Sequence, residues 1–463
     1  MCYSIPGKVI SINDNAALLD YFGEKKEALV DVEDIKSGDY VFAQGGVIVQ
    51  KLGEDEAQSI LAGWEELFFK LQEKDRILSE ENPPPLNPLP PGEGKQSAFP
   101  PPLTGGGEAC PEHSRRGEGG LDILPILQKN RAGETLTKDE LLSLLKCDNK
   151  EELALLYKTA NSIRHKIHKN ASCVHGIIEF SNYCKNDCAY CGIRSENRNI
   201  ERYRMGVDEI VNEVVSAVNN YGFKAFVLQS GEDSYFTTER LVEIISRIRK
   251  SVGVLLILSI GERDLECYRE LYDAGARGEL IRFETASPSL YSSIHTTLQY
   301  ENRLTLLKGV KDIGYLIATG SLIGLPGQSE EDILNDILFA HSLNTEMYSF
   351  GPLIPHPDTP LAGSHAVSLD AMLKMIAVTR LITQDGNILV TSAVEKLFGK
   401  EGVRQALMAG GNSMMINLTP EKYGRLYSIY PGKGDGSGNI RGKITETLSL
   451  LHSLGRAPMD VGM

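Results

Sequence analysis

Cys184, Cys188 and Cys191 fall at C-x3-C-x2-C spacing in the run Cys184-Lys185-Asn186-Asp187-Cys188-Ala189-Tyr190-Cys191. Three thiolates are one short of the four that saturate an ordinary 4Fe-4S cluster, so one iron would keep an open coordination position. That vacancy suits reductive cleavage of S-adenosylmethionine, whose amino and carboxylate groups can chelate the free iron while the cluster passes an electron to the sulfonium. Two other readings of the trio stand beside this one. A structural zinc site would draw its fourth ligand from His175 or Cys173, and three core cysteines would be inert.

Further polar groups recur downstream. Gln229-Ser230-Gly231-Glu232 offers an amide, a hydroxyl, a flexible backbone and a carboxylate, a set able to receive an ammonium group. Glu284, within Arg282-Phe283-Glu284-Thr285, can bind ribose hydroxyls. Arg303 can pair with a carboxylate through charge-assisted hydrogen bonds, or serve equally as a surface arginine. Gly320-Ser321-Leu322-Ile323-Gly324-Leu325-Pro326-Gly327 would allow close approach to adenine, and a tight turn explains the same small residues. With the aromatic Tyr190 before the third cysteine, Gln229, Ser230, Glu232, Glu284 and Arg303 form the expected cofactor contacts.

These groups need a scaffold that gathers them at one place. From Gly176 onward, short apolar runs alternate with amphipathic stretches, the pattern of βα units around a parallel sheet. Candidate strands are Gly176–Phe180, Ala225–Gln229, Val254–Ile260, Glu279–Phe283, Ile317–Ile323, Met347–Leu353, Ile388–Val390 and Ser413–Ile416. Eight such units predict an α/β fold of (β/α)8 TIM type, in which chemistry belongs on the loops after each strand. The cysteine motif follows the first strand, Gln229-Ser230-Gly231-Glu232 the second and Arg282-Phe283-Glu284-Thr285 the fourth, while Gly320–Gly327 ends the fifth.

Upstream of the barrel three segments differ in composition. Alternation in Lys8–Ile12, Ala28–Val32 and Tyr40–Ala43, with Gly23, Gly38 and Gly45-Gly46 at turns, predicts a small OB-like β-barrel, followed by an amphipathic helix over Glu54–Leu78. Together they make a first domain over 1–80. Residues 81–120 are rich in Pro and Gly and too poor in apolar residues to fold, so they read as a disordered linker whose Cys110 and His113 are inert. Residues 121–174 form a helical lead-in, with Thr137 capping a helix before Glu140, and 175–463 form the large barrel.

The chain has 463 residues, 41% apolar and 24% charged, enough for more than one core and typical of a globular protein. Its net charge of -14 argues against a nucleic-acid partner, which would call for clustered Lys and Arg. No apolar run is long enough for a membrane span, and the first residues carry no signal-peptide pattern, so the expected location is cytoplasmic. Eight cysteines, three within eight positions, fit metal ligation in a reducing compartment.

Glu179-Phe180-Ser181-Asn182-Tyr183-Cys184 through Cys191-Gly192-Ile193-Arg194, then Tyr203-Arg204-Met205, resembles the HydE family, radical S-adenosylmethionine enzymes of FeFe-hydrogenase maturation. The likeness runs from about Cys147 to the end and includes Leu228-Gln229-Ser230-Gly231-Glu232-Asp233, Glu284-Thr285-Ala286, Gly324-Leu325-Pro326-Gly327-Gln328 and Gly351–Leu361. The resemblance implies that Ser230, Glu284 and Arg303 contact S-adenosylmethionine. It further implies a substrate cavity lined by Arg282, Thr391, Ser392, Met414 and Met415, with Tyr430 as a polar or proton-handling catalytic group; for the two methionines, ordinary packing is the alternative. The segment Lys433–Gly438 lacks the cysteines that bind an accessory cluster in some HydE proteins, so a single cluster is expected.

Met1-Cys2-Tyr3-Ser4-Ile5-Pro6-Gly7-Lys8-Val9, with Gly38-Asp39-Tyr40-Val41, resembles the HypC family of iron-carrying hydrogenase chaperones. This implies Cys2 as a metal ligand, with a bare surface thiol as the alternative. Where many HypC proteins place a histidine this chain has Gln44, which puts the ligand set in doubt. The combined expectation is a radical enzyme acting on a cysteine-bound or organometallic iron precursor, with an electron donor protein and hydrogenase assembly proteins as partners. The alternatives are an amino acid or thiol substrate, as in methylornithine synthase or biotin synthase, and a non-catalytic scaffold.

Overall fold

The computed structural model describes residues 5–80, 123–434 and 439–459. The expectations for Cys2 and for the 81–120 segment, with Cys110 and His113, lie outside the described residues, as do positions 435–438 of the cysteine-free segment.

The first unit is a closed barrel of β1 (Gly7–Asn13), β2 (Ala16–Tyr21), β3 (Glu24–Val30), β4 (Tyr40–Gln44) and β5 (Val47–Leu52), ordered β1-β2-β3-β5-β4. Alternation drives it: along β2, Ala17, Leu19 and Tyr21 are buried while their neighbours are partly exposed. Gly45 and Gly46 join β4 to β5 with φ of 56° and 79°, as a two-residue hairpin turn of type I′ requires. Sequence patterning did not mark β2 or β5. Ala-Ala-Leu-Leu-Asp-Tyr has no β-branched residue, and its strand state comes from pairing with β1 and β3. Helix α1 (Glu54–Glu80) lays Trp64, Phe68 and Leu71 on this barrel.

Helices α2 (Leu124–Arg131), α3 (Lys138–Lys146) and α4 (Lys150–His168) lead into the second unit. Thr137 caps α3 in a reciprocal capping box with Glu140, as expected. Then follow β6 (Ala171–Ser181), α5 (Val207–Tyr221), β7 (Ala225–Ser230), α6 (Thr238–Ser251), β8 (Leu255–Ser259), α7 (Leu265–Asp273) and β9 (Gly278–Leu280). Next come α8 (Pro288–Ile294), α9 (Tyr300–Ile313), β10 (Leu316–Thr319), β11 (Leu322–Ile323), α10 (Glu330–Ser342), β12 (Met347–Tyr348) and β13 (Gly351–Pro352). The chain ends with α11 (Leu369–Ile382), β14 (Asn387–Ile388), α12 (Ser392–Met408), β15 (Ser413–Asn417), α13 (Glu421–Gly424), α14 (Ile440–Ser453) and β16 (Ala457–Pro458).

The main parallel sheet runs β14-β12-β10-β9-β8-β7-β6-β15. A bridge between Leu389 and Ser413, with Val390 N–H donating to the Ser413 carbonyl at 2.8 Å, brings its two edges together, giving the expected (β/α)8 barrel. Every residue of β6 is buried, because helices and lumen cover its two faces. It begins at Ala171, earlier than the apolar run suggested, since its first residues also pair with β16.

The small barrel seats on the N-terminal end of the large one. Tyr40, Phe42, Val49 and Leu52 form one apolar cluster with Ile177, Ala225, Val227, Leu255 and Ile257. At Gly253 the backbones come so close that a Cβ would lie 2.6 Å from the Val49 carbonyl oxygen. Asp31 accepts from Arg249 at 3.2 Å and from Arg277 at 2.7 Å across the same seam.

Candidate active site

At the opposite, C-terminal end of the barrel lies a cavity of about 340 Å³ lined by Cys184, Cys188 and Cys191. The loop carrying them follows β6 and is pinned from within. Arg202 donates to the carbonyls of Ile193 at 2.8 Å and Arg194 at 2.6 Å, and Asp187 pairs with Arg194. Asp233 holds the loop's base, accepting from Arg204 at 2.7 and 2.9 Å and from Ser181 at 2.7 Å. Gly231 lets the loops touch: a Cβ there would sit 2.3 Å from the Tyr183 carbonyl oxygen and 2.8 Å from the Cys184 Cβ.

Burial pushes all three thiols up, Cys191 to about 12, and the neighbouring thiols add to the effect at Cys188 and Cys191. Thiols raised in this way would release their protons on taking up a metal. Among the described residues no three His, Cys, Asp or Glu side chains converge on one ion. Cys173 and His175, the candidate fourth zinc ligands, line a separate cavity at the N-terminal end of the barrel. That corrects the zinc reading, because β6 carries them away from the cysteine loop.

Several expected residues meet in the cysteine cavity. Tyr190 donates to Glu284 at 3.1 Å, and Arg282 donates to the other carboxylate oxygen at 2.7 Å. Arg303 is buried, with Nε donating to Glu262 at 2.6 Å and a second donor on the Arg282 carbonyl. Gln229 donates to the Tyr427 hydroxyl at 3.1 Å, and Ser230 Oγ donates to the Gly231 carbonyl at 2.7 Å. Glu232 pairs with Lys185 at 3.1 Å. Thr391, Ser392, Met415 and Tyr430 line the same cavity, and the Ser392 and Tyr430 hydroxyls are 2.8 Å apart. Met414 does not line it: on the strand it faces the other way from Met415 and packs against the helical core.

Motif reading missed other lining groups. Lys433 donates to Glu179 at 2.5 Å, a buried pair completed by Asn417 donating to the second oxygen at 2.8 Å. Neither ring nitrogen of the buried His295 has a hydrogen-bond partner, and burial, with Arg303 nearby, pushes its pKa down to about 3. It therefore presents a neutral imidazole at pH 7. Thr391 Oγ1 and Arg282 Nε are likewise buried without a partner. Such orphaned polar atoms fit a cavity made to surround a polar ligand.

Comparison with known proteins accounts for this arrangement. The [FeFe] hydrogenase maturase subunit HydE of Thermotoga maritima is 38% identical over 339 residues, covering 73% of this chain and 95% of that protein. The chain is a HydE-type radical S-adenosylmethionine enzyme. Residues 178–340 match the Radical SAM superfamily, and residues 349–437, which complete this HydE-type barrel, match the Biotin and Thiamin Synthesis associated domain. Residues 1–64 match the HupF/HypC family, so the HydE-type unit is fused to a HypC-like module. The 3-methylornithine synthase of Methanosarcina acetivorans is 30% identical over 60% of this chain and 79% of its own length. The crystal structure of methylornithine synthase superposes with a TM-score of 0.63 at 26% identity, covering 72% of this chain and 97% of that one. A radical enzyme of this superfamily uses a 4Fe-4S cluster and S-adenosylmethionine, and the donors and orphaned atoms above fit both. No helix among the described residues is long and apolar enough to cross a membrane.

Proposed function

We propose that this enzyme acts in the assembly of a hydrogenase active site, on a cysteine-bound or organometallic iron precursor, and that its parts divide the work. In this reading residues 1–80 are a carrier module with Cys2 as its metal ligand, 81–120 a linker, 121–174 a helical lead-in and 175–463 the catalytic barrel. Cys184, Cys188 and Cys191 hold the single cluster. When bound, the cluster supplies the electron that cleaves S-adenosylmethionine to methionine and a 5′-deoxyadenosyl radical.

The protein's own groups orient the cosubstrate. Arg303, already committed to Glu262 at 2.6 Å, faces the methionine carboxylate. Ser230, Glu232 and Gln229 receive the ammonium group, while Glu284, held by Tyr190 and Arg282, takes the ribose hydroxyls. Arg282, Thr391, Ser392, Met415 and Tyr430 form the substrate side. Tyr430 is buried, which raises its pKa, so it acts as a proton-bearing hydroxyl rather than a phenolate. An electron donor protein and hydrogenase assembly proteins are the expected partners, and the reducing cytoplasm the setting.

The single observation that carries this reading is the gathering of the three cysteines, Glu284 and Arg303 around one cavity in a chain whose match to a hydrogenase maturase, at 38% identity, covers 95% of that maturase. Anaerobic reconstitution with dithionite tests it: 5′-deoxyadenosine should form and should vanish in Cys188→Ala. The similarity to 3-methylornithine synthase, together with charged groups Arg282 and Lys433 suited to a carboxylate, supports a second reading with an amino acid substrate. Stimulation of turnover only by an organic amino acid would favour that second reading over the first.

A further inference from the structure

We infer that the cavity between the small barrel and the N-terminal mouth of the large one is a second metal site, taking a divalent first-row transition ion on Cys173 and His175. The cavity has a volume of about 440 Å³. Gln44 and Gly45 face it from the small barrel, Cys173, His175, Met347 and Asn387 from the large one.

Cys173 and His175 stand two apart on β6, so their side chains share one face of the strand. Their Cα atoms are separated by roughly 6–7 Å, a span that one ion bridges when thiolate and imidazole lean together at bond lengths of about 2.3 and 2.1 Å. Both side chains are buried. Cys173 Sγ lies 3.5 Å from Asn387 Oδ1, which also accepts from Asn412 at 3.1 Å, so the strand side of the site is set in place.

Gln44 supplies an independent observation from the opposite wall. It is 0% exposed, and its Nε2 donates to the Met459 carbonyl at 2.7 Å, which fixes which way the amide faces. Its Oε1 then has no hydrogen-bond partner. A buried amide oxygen accepts only, so its missing partner is a proton donor or a cation. Thiolate, imidazole and amide oxygen together make a donor set of intermediate softness, suited to ferrous iron and its first-row neighbours.

Three protein donors fall short of a full coordination sphere, so water would complete it. The site is also set apart from the radical chemistry. Ile177, Leu280, Leu389 and Met415 floor the upper cavity, and Ile257, Ala318 and Met347 line the lower one, leaving an apolar layer between the two. The inference deepens the carrier reading of the first module, but it stands on residues the radical reaction does not use.

Mössbauer spectroscopy on the full chain tests it. The cluster is assembled from natural-abundance iron, and ferrous iron-57 is then added, so that the added ion dominates the spectrum. A mononuclear high-spin ferrous doublet is expected in the wild type and is lost in Cys173→Ser and in His175→Gln, while cluster content and S-adenosylmethionine cleavage are unchanged. Gln44→Leu, on the other wall, should weaken iron binding tenfold or more, and thermal unfolding of each variant separates loss of the site from loss of the fold. No doublet in the wild type would overturn the inference. So would a doublet that survives both β6 substitutions, or one that only Cys2→Ser removes. Failure of S-adenosylmethionine cleavage with the doublet present would instead strike the radical reading and leave this site standing.

Discussion

Glu284 has φ of 66°, in the left-handed region, a conformation costing a non-glycine residue on the order of 1–2 kcal/mol. Its neighbours hold it there: its N–H donates to the Gly320 carbonyl, its carbonyl accepts from Leu322, and its carboxylate is gripped by Arg282 and Tyr190. The strain aims an anionic group into the cavity. Charge-assisted bonds contribute about 1.5–3 kcal/mol, so Glu284→Gln should weaken S-adenosylmethionine binding by roughly tenfold or more without lowering cluster iron. Equilibrium binding to the cluster-loaded protein, with iron content measured in parallel, checks this; unchanged affinity would remove Glu284 from the cosubstrate site. Residues of this kind were legible in the sequence because each sits just after a strand, in a motif. The Glu179–Lys433 pair was not, since Glu179 reads as one residue of an apolar strand and its partner lies 254 positions away. Nothing adjacent to His295 signals that its ring enters the same cavity.

The elements differ in how plainly the sequence announced them. β7 and β8 are continuous apolar runs covered on both faces, and their register follows from simple parallel pairing, Ala225 with Leu255 through Gln229 with Ser259. The runs Ile317–Ile323 and Met347–Leu353 each divide into two short strands, because β11 and β13 leave the main sheet to pair with one another. Those breaks depend on partners far along the chain. Helix α10 shows what an element does for the site: its Asp336 accepts from the Ala286 N–H at 2.5 Å and from Thr285 at 3.3 Å, bracing the turn that follows Glu284. Burial raises the Asp336 pKa from 3.8 to about 7, despite those donors. The folded state thus holds a proton that the unfolded chain releases near pH 4. The stabilisation is complete below pH 4 and is lost as pH rises through 7. Asp336→Asn should flatten this decline in melting temperature between pH 5 and 8. An identical pH profile in the variant would show that Asp336 does not titrate there.

At the scale of the whole molecule the question is what keeps the small barrel on the mouth of the large one. Apolar contact at the seam is non-directional, and Asp31 with Arg249 and Arg277 remains partly exposed, so solvent screens part of that interaction. The directional lock lies deeper. Asp75 on α1 takes two bonds from Arg164 on α4, both at 2.7 Å, while His165 approaches at 2.6 Å and Arg456 at 4.0 Å. Asp75, Arg164 and Arg456 are almost wholly excluded from water. Burial alone would raise the Asp75 pKa, but Arg164 and His165 outweigh it and hold the carboxyl below its usual range, so Asp75 stays ionised. Removing one member of a buried pair leaves an uncompensated charge and costs about 3–5 kcal/mol, whereas replacing both members with apolar groups is often close to neutral. Asp75→Ala should therefore lower the melting temperature by several degrees and speed proteolysis around α1, and Asp75→Leu combined with Arg164→Met should recover only part of that loss, because buried Arg456 still lacks its anion. Since the cysteine cavity lies at the other end of the barrel, cluster content in surviving Asp75→Ala protein should match the wild type. A single variant as stable as the wild type would mean that apolar contact alone seats the module.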